Sequence, residues 1–416
     1  MHIQNEYEFY QLPNGISLAH KQVPHTKIAH LAFVLDIGSR DEKPRQNGMA
    51  HFWEHLAFKG TQKRRAFHIL NYLEAVGGDL DAFTTKEKIF FNASVLDTYA
   101  ERAFDLLADI TFGATFPEKE LIKERSVILE EMAMYADTPA DSLLDRFDEI
   151  MFPNHALGKP ILGITETLNA FSRESLQEFI QENLDTKRVI VSSVSSLSMK
   201  QISRYFEKYL NHIKPQSSNR KRTNVSDDYQ AQQVEMRKNT SQAHCAIGAR
   251  AYGLHHYLRL PMLMLINILG GSGMTARLNL ILREKYGLVY SVDAAASCFM
   301  DCGHVCVSFA TEPKTLQKAI QLTHKELKTL CTQKLGKIQL HSAKQQFKGQ
   351  LAMSEESNSG MVLMMGKSLL DYGRVETLHE IFDRIDKISA SELMEVSNEI
   401  FDVNQLSTIV LQPQNG

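Results

Sequence analysis

NGMAHFWEHLAFKGT, at residues 47–61, contains two histidines four positions apart with a glutamate between them. On a helix, residues i and i+4 lie one turn apart on the same face, so His51 and His55 can direct both imidazoles at one ion. Glu54 lies beside this pair, close enough to reach a water molecule on that ion. A catalytic zinc takes three protein ligands and keeps one position open, so the pattern predicts two of the three ligands.

A second helix, predicted to begin near Glu118 after Pro117, carries the candidates for the third ligand. Glu124 and Glu131 are seven residues apart and therefore lie on one face, two turns from each other. This phase predicts Glu131 as the third ligand and Glu124 as the carboxylate that holds a ligand histidine from behind. Glu130 points about 100° away from Glu131 and is the alternative ligand that the spacing leaves open.

These side chains together predict peptide-bond hydrolysis with one zinc ion per chain. Zinc would make its water more acidic and polarise the substrate carbonyl, while Glu54 takes the proton and passes it to the leaving amine. A structural zinc site would close its fourth position with protein, usually with Cys. The motif alone leaves one other interpretation open, a surface helix that carries two unrelated histidines.

The composition is typical of a soluble globular protein with two domains. The chain has 416 residues, of which 43% are hydrophobic and 23% charged, and its net charge is -3. That charge gives no electrostatic argument for nucleic acid, and no apolar run of about 18 residues predicts a membrane span. The five cysteines are an odd number and indicate reduced thiols, and residues 1–8 lack the pattern of a signal peptide. We therefore expect a cytoplasmic protein.

A polar segment at residues 211–233 is interpreted as the linker between two domains, 1–215 and 216–416. The basic run at residues 219–222 within this linker is expected to be solvated. Strand-like runs and helical patterns follow in the same order on both sides of the linker, which indicates an internal duplication. The predicted fold class is α+β, with two similar domains in which a mostly antiparallel sheet packs against helices.

Beyond the histidine motif, the sequence resembles the pitrilysin and mitochondrial-processing-peptidase family of zinc peptidases with an inverted HxxEH motif, the inverzincins. The resemblance covers nearly the whole chain in order, and the separation of His55 from Glu131 is similar to that family's spacing for its third ligand. The matching segments are 38–42 (GSRDE), 47–61, 77–87 (GGDLDAFTTKE), 124–132 (ERSVILEEM), 157–163 (LGKPILG), 270–274 (GGSGM) and 282–292 (LREKYGLVYSV). The chain corresponds to the family's two-domain type.

The resemblance implies a substrate-binding strand in the N-terminal domain. Asp81, Ala82, Phe83 and Thr84 match the family's edge strand, which pairs with the substrate backbone as an added strand. Asp81 departs from the family, which commonly has Asn here, and an ionised Asp accepts but cannot donate a hydrogen bond. A turn acid without a substrate contact is the alternative interpretation of Asp81.

The resemblance also implies substrate contacts from the C-terminal domain. Arg283 and Tyr290 are seven residues apart, like the family's pair that reaches the scissile bond. Tyr290, with Arg283, would stabilise the oxyanion of the tetrahedral intermediate. An arginine on a helix surface and a tyrosine on a strand, without this role, are the alternative. The glycine-rich turn at 270–273 matches a loop that touches substrate in the family.

The family's working chamber takes four such domains, and this chain supplies two. The resemblance therefore implies a homodimer, or a heterodimer with a related inactive subunit. An enclosed chamber favours short or unfolded peptides, which predicts a zinc-dependent endopeptidase for such substrates. Non-catalytic relatives serve as scaffold or peptide-binding subunits, but His51, Glu54, His55 and Glu131 are all present here, which disfavours that alternative.

A second group of metal-binding residue types, Cys298, Cys302, His304 and Cys306, is not expected to bind zinc. The last three alternate along a predicted strand, after a turn signal at residues 301–303. The resembling family has no metal at this place, so a strand hairpin is the predicted structure.

Overall fold

The computed structural model of the protein describes residues 6–226 and 229–414. The strands are Glu8–Gln11 (β1), Ser17–Gln22 (β2), Ile28–Leu35 (β3), Asp79–Thr84 (β4), Ile89–Leu96 (β5), Val189–Ser195 (β6), Gln233–Lys238 (β7), Ala243–Ala251 (β8), Val289–Cys298 (β9), Gly303–Thr311 (β10) and Ser407–Pro413 (β11).

The α-helices are Met49–Ala57 (α1), Ala66–Glu74 (α2), Ala100–Phe112 (α3), Glu118–Asp137 (α4), Pro139–Met151 (α5), Thr165–Ala170 (α6), Arg173–Asn183 (α7), Met199–Leu210 (α8), Arg259–Gly270 (α9), Leu316–Thr332 (α10), Lys337–Glu355 (α11), Asn358–Tyr372 (α12), Leu378–Lys387 (α13) and Ala390–Ile400 (α14). Short 3-10 helices occupy Ser39–Asp41, Pro44–Gln46, Asp97–Tyr99, Ala156–Gly158, Thr186–Arg188 and Pro313–Thr315, and Asn279–Lys285 is a π-helical turn. No helix in the described part of the chain is both long and apolar enough to cross a membrane.

Two sheets of the same topology organise the chain. The strand order is β1-β2-β6-β3-β5-β4 in the first sheet and β7-β11-β8-β10-β9 in the second. Without β1, the two orders are identical when each set of five strands is numbered along the chain. In each sheet the first and last of these five strands pair in parallel, and the other neighbours pair antiparallel. The predicted α+β fold with two similar, mostly antiparallel domains is confirmed.

Packing contacts divide the chain into two units. Unit 1 comprises the described parts of Met1–Met132, Lys159–Arg222 and Met353–Thr377, and unit 2 those of Ala133–Gly158, Thr223–Ala352 and Leu378–Gly416. This division departs from the predicted domains, 1–215 and 216–416, at two long segments and at the linker.

The first departure is α5, which belongs to unit 2 although it lies in the N-terminal half of the sequence. Phe147 and Met151 from this helix share a buried apolar cluster with Ala246 of β8 and with Ile409 of β11. The apolar face of α5 is therefore covered by the second sheet, and that burial outweighs its position along the chain.

The second departure is α12, which belongs to unit 1 although it lies near the C-terminus. Met361 and Met365 pack on Val34 of the first sheet, in one buried cluster. The approach is close at Gly366, where an added Cβ would lie 2.6 Å from Cγ2 of Val34. In addition, the Ser192 hydroxyl of β6 donates a hydrogen bond of 2.6 Å to the carbonyl oxygen of Val362. Helix α12 therefore covers the face of the first sheet with close, specific packing.

Two of the three cations in the basic run of the linker, Arg220 and Arg222, are not solvated, contrary to the expectation from the sequence. The side chains of Arg220 and Arg222 are only 12% and 8% exposed, because they pair with the buried acids Asp36, Asp41 and Glu87 of unit 1. These acids lie far from the arginines in sequence, so a local reading of residues 219–222 could not detect the pairing.

Asp36, one of the buried acids of this cluster, stays ionised because arginines lie beside it. Burial alone would raise the pKa of Asp36, but the charge of Arg222, the hydrogen bond from Arg188 and the charge of Arg220 hold it below its ordinary value. The Arg222 guanidinium lies 2.9 Å from Oδ1 of Asp41, whose side chain is fully buried. Removing Arg222 would therefore leave three buried carboxylates with less positive charge to compensate them.

We predict that Arg222→Met lowers the free energy of unfolding of unit 1 by about 3–5 kcal/mol, because it breaks a buried charge cluster. The matched control is Lys221→Met, which removes the same charge from an exposed neighbour and should change stability by less than about 0.5 kcal/mol. Thermal and urea unfolding measure both. The pKa of Asp36 in the folded protein lies below its unfolded-state value near 4, so the ionised side chain stabilises the fold above that pH. The difference in unfolding free energy between wild type and Arg222→Met should therefore shrink below about pH 4. Equal stability of the two variants at pH 7 would contradict the prediction.

Candidate metal centre

Helix α1 is buried along most of its length, and its N-terminus is held by the carboxyl group of Glu42. Glu42 accepts hydrogen bonds of 2.8 Å from the backbone N–H groups of Gly48 and Ala50, one on each oxygen. Burial raises the pKa of Glu42 to about 8, against the effect of these hydrogen bonds. Gly48 has a φ of 96°, and an added Cβ would lie 2.6 Å from the carbonyl oxygen of Leu162, so only glycine fits here. The sequence did not lead us to predict that Glu42 holds the start of α1. The signal for it was an acidic residue shortly before a predicted helix, where negative charge is favourable.

The helix places His51 and His55 on one face, with ring centroids 4.6 Å apart. From α4, Oε2 of Glu131 lies 3.5 Å from Nε2 of His55 and 3.9 Å from Nε2 of His51. Two donor atoms on a tetrahedral zinc, each about 2.0–2.1 Å from the ion, lie about 3.4 Å apart. The two separations from Glu131 are therefore close to those of ligands that share a zinc ion.

The His51 ring is in the protonation state that a metal requires. Burial lowers the pKa of His51 to about 3, and the neighbouring His55 adds to this effect. The imidazole is therefore neutral near pH 7, with a lone pair free for a ligand bond. Its Nδ1 atom is buried and has no hydrogen-bond partner among the described residues.

Glu124 lies behind His55, on the side away from the other candidate ligands. Its Oε2 is 3.3 Å from Nδ1 of His55, and its Oε1 is 2.9 Å from Nζ of Lys59. Burial alone would raise the pKa of Glu124, but the hydrogen bonds from His55 and Lys59 hold it below its ordinary value. Lys59 was not singled out in the sequence, although it follows His55 by four residues and so extends the same face. Glu130, the alternative ligand, is exposed.

Glu54 lies with the histidines but is held by another residue. His51, Glu54 and His55 form the one group of three potential metal ligands, within the described chain, whose donor atoms all lie within 4.8 Å of one another, and Glu131 is not part of that group. One carboxylate oxygen of Glu54 accepts a 2.6 Å hydrogen bond from the Thr84 hydroxyl. Burial raises the pKa of Glu54, and the hydrogen bond from Thr84 opposes the rise. The carboxylate is thus oriented beside the three candidate ligands.

Strand β4, which contains the four substrate contacts predicted for the N-terminal domain, lies at the edge of the first sheet. It pairs with β5, and its other side has no strand partner among the described residues. The Asp81 side chain is exposed, Ala82 is half-buried, and Phe83 stacks on Phe90 with ring centroids 4.4 Å apart. The free edge offers backbone groups to an added strand. The hydrogen bond from Thr84 to Glu54 was not foreseen, since it joins two elements 30 residues apart.

Arg283 and Tyr290 lie beside each other in unit 2. The guanidinium carbon of Arg283 is 5.9 Å from the centroid of the Tyr290 ring, and Tyr290 is 87% exposed. Arg283 belongs to the π-helical turn, a conformation that is frequent at functional sites. Tyr290 is the second residue of the edge strand β9, which has the same place in its sheet as β4 has in the first.

The cysteine-rich segment forms the predicted hairpin, with β9 and β10 paired antiparallel. His304 is buried, and its Nε2 lies 3.1 Å from Oδ1 of Asp148, with the Phe147 and Phe152 rings against it. Its polar contact is therefore with a carboxylate. The Cys306 thiol is buried, and burial raises its pKa well above its ordinary value.

Comparison with known families gives two matches along the chain. The family described as Insulinase (Peptidase family M16) matches residues 17–165, and the family described as Peptidase M16 inactive domain matches residues 170–347. The first match contains the His51–Glu131 group, and the second contains Arg283 and Tyr290.

Relatives of similar length carry the name zinc protease. The uncharacterized zinc protease YmxG of Bacillus subtilis is 32% identical over 396 residues, which are 94% of this chain and 95% of that protein. An uncharacterized zinc protease of Rickettsia felis is 29% identical over 411 residues, 98% of each chain.

Solved structures share the fold over the whole chain. A protease from Helicobacter pylori superimposes with a TM-score of 0.90 at 20% identity, covering 98% of this chain and 99% of that one. A Pseudomonas fluorescens structure described as a peptidase M16 inactive domain also gives a TM-score of 0.90, at 16% identity and 98% coverage of both chains. Since a full-length relative is 32% identical and family matches cover both halves, the chain belongs to peptidase family M16.

Proposed function

We propose that this protein is a zinc-dependent endopeptidase that hydrolyses peptide bonds in short or unfolded peptides. The observation that carries the proposal is the convergence of His51, His55 and Glu131, with the carboxylate of Glu54 oriented beside them. The name zinc protease, given to relatives of this chain, supports the same reaction.

His51, His55 and Glu131 would hold the zinc ion, and Glu124 would orient His55 through its Nδ1 atom. Zinc, when bound, supplies a Lewis acid that polarises the substrate carbonyl and makes a water more acidic. Glu54 accepts the proton of the attacking water and delivers it to the nitrogen of the leaving amine. Burial raises the pKa of Glu54, which makes its carboxylate a stronger base and its protonated form more populated.

We assign substrate binding to the free edge of β4, with residues 81–84 pairing with an extended peptide backbone. Main-chain hydrogen bonds of this kind bind peptides without a strong demand on side chains. Asp81 is exposed on this strand and would attract a basic substrate side chain. Thr84 joins the strand to Glu54, so the element that binds the peptide also holds the base.

Arg283 and Tyr290 complete the proposal as substrate contacts from unit 2, with the Tyr290 hydroxyl as a donor to the oxyanion. Their adjacency and the exposure of Tyr290 support this role. We further propose a homodimer, or a heterodimer with a related inactive subunit, whose four units enclose the substrate. The cytoplasmic location stays a prediction from the sequence.

The test of the proposed reaction is Glu54→Gln, assayed beside wild type on quenched fluorescent peptides, with and without a chelator. We expect kcat/KM to fall by about 10²–10⁴-fold, because the proton carrier is lost, while zinc stays at one ion per chain. Metal analysis on the same samples checks the second point.

Two outcomes would decide against the reaction. Stoichiometric zinc in wild type without cleavage of any peptide would favour a peptide-binding or scaffold subunit. A wild type prepared without chelators that contains no zinc would contradict the metal centre itself.

The third ligand is tested by a pair of adjacent substitutions. Glu131→Gln should weaken zinc binding by more than about 100-fold, because even residues that only support a ligand contribute about 10–100-fold. Glu130→Gln, which changes an exposed neighbour on the same helix, should keep both zinc and activity. Zinc affinity is measured by competition with a coloured chelator. Loss of zinc in Glu130→Gln alone would reverse the assignment.

Thr84 is tested by removing and restoring its hydroxyl. Thr84→Val keeps the shape but loses the donor to Glu54, so kcat should fall about tenfold or more while KM and zinc content stay unchanged. Thr84→Ser restores the donor and should recover most of the activity. If Thr84→Val instead raises KM at constant kcat, then Thr84 contacts the substrate and does not orient the base.

A further inference from the structure

Lys59 lies in the turn that follows α1, and main-chain contacts fix the position of this turn. The N–H group of Lys59 donates a 3.1 Å hydrogen bond to the carbonyl oxygen of Leu56, in the last turn of α1. The next residue, Gly60, accepts a 2.9 Å hydrogen bond from the N–H group of Thr115, in the segment that leads into α4. The end of α1 is therefore joined to the approach of α4, and the Lys59 side chain starts within reach of that helix.

The Lys59 ammonium group contacts the oxygen of Glu124 that His55 does not use. Nζ of Lys59 lies 2.9 Å from Oε1 of Glu124, while Oε2 of Glu124 lies 3.3 Å from Nδ1 of His55. The Glu124 side chain is only 7% exposed, and these two residues are its polar side-chain partners within the described chain. The terminal torsion of a glutamate is broad, so a contact at one oxygen leaves the carboxylate free to turn. Contacts at both oxygens fix its plane.

The orientation of Glu124 decides which nitrogen of His55 is left for a metal. A neutral imidazole carries its proton on one nitrogen and a lone pair on the other, and a carboxylate can only accept. Since Nδ1 of His55 faces Glu124, Nδ1 is the nitrogen that donates, and Nε2 keeps the lone pair. Nε2 is also the atom that lies 3.5 Å from Oε2 of Glu131. The lone pair is therefore on the side where the candidate ligands meet.

We propose, building on the zinc centre of the proposed function, that Lys59 is a positioning residue for that centre. By holding Oε1 of Glu124, Lys59 keeps Oε2 directed at His55, and His55 stays in the tautomer and ring orientation that zinc binding requires. A simple charge effect has the opposite sign, because removing a cation near the site would favour the binding of a dication. Loss of Lys59 therefore weakens zinc binding if it positions Glu124, and strengthens zinc binding if only its charge matters.

A double-mutant cycle between Lys59 and Glu124 tests this, with zinc affinity of the full-length protein measured by competition with a coloured chelator. Lys59→Met should weaken zinc binding about tenfold, at the lower end of the effect of residues that support a ligand. In the Glu124→Ala background the same substitution should change the affinity by less than about twofold, because the group on which Lys59 acts is gone. Lys59→Arg keeps a cationic donor at this place and should restore most of the affinity.

The matched control is Lys63→Met, which removes the same charge four residues further along the chain, from a side chain that is 58% exposed. It should leave zinc affinity unchanged. Equal or tighter zinc binding by Lys59→Met, or the same loss with and without Glu124→Ala, would overturn the role of Lys59. The measurement needs no substrate, so it does not depend on peptidase activity. A wild type that binds no zinc would instead refute the metal centre of the proposed function, and the two failures are thus distinguishable.

Discussion

The hydrogen bonds from the start of α1 to the Glu42 carboxyl group are the interaction on which the candidate site depends. The first turn of a helix has backbone N–H groups without helical partners, and in α1 this turn is buried, away from water. Glu42 satisfies two of these groups, and the left-handed Gly48 brings the chain into the turn against Leu162. With its start fixed in this way, α1 presents both histidines at one phase, and α4 needs only to supply Glu131.

The matching topology of the two sheets shows that one fold carries two different sets of side chains. By position between strands, α9 of unit 2 corresponds to the helices that follow β3 in unit 1, but its sequence RLPMLMLINILG contains neither histidine nor acid. Unit 2 has therefore kept the scaffold without the ligands. Its edge strand β9 carries an exposed tyrosine where unit 1 has β4, the proposed substrate strand, so equivalent edges carry different side chains.

What could be predicted from the sequence follows from the range of each interaction. His51, Glu54 and His55 lie within one helical turn, so spacing alone indicated their common face. The choice of Glu131 over Glu130 followed from its phase with Glu124 and from the family resemblance. Three other features depend on contacts between residues that are far apart along the chain. They are the hydrogen bond from Thr84 to Glu54, the ion pairs that bury Arg220 and Arg222, and the packing of α12 on the first sheet. Local patterns contain no signal for such contacts, so these features appeared only with the fold.

The packing of α12 on the first sheet also bears on how the protein is made. Residues 353–377 belong to unit 1, yet a ribosome synthesises them only after residues 223–352 of unit 2. Until then the face of the first sheet around Val34 lacks its cover, and exposed apolar sheet surface promotes aggregation. The N-terminal unit therefore cannot complete its fold during its own translation. During synthesis that face stays uncovered, or is shielded by a chaperone, until residues 353–377 have left the ribosome.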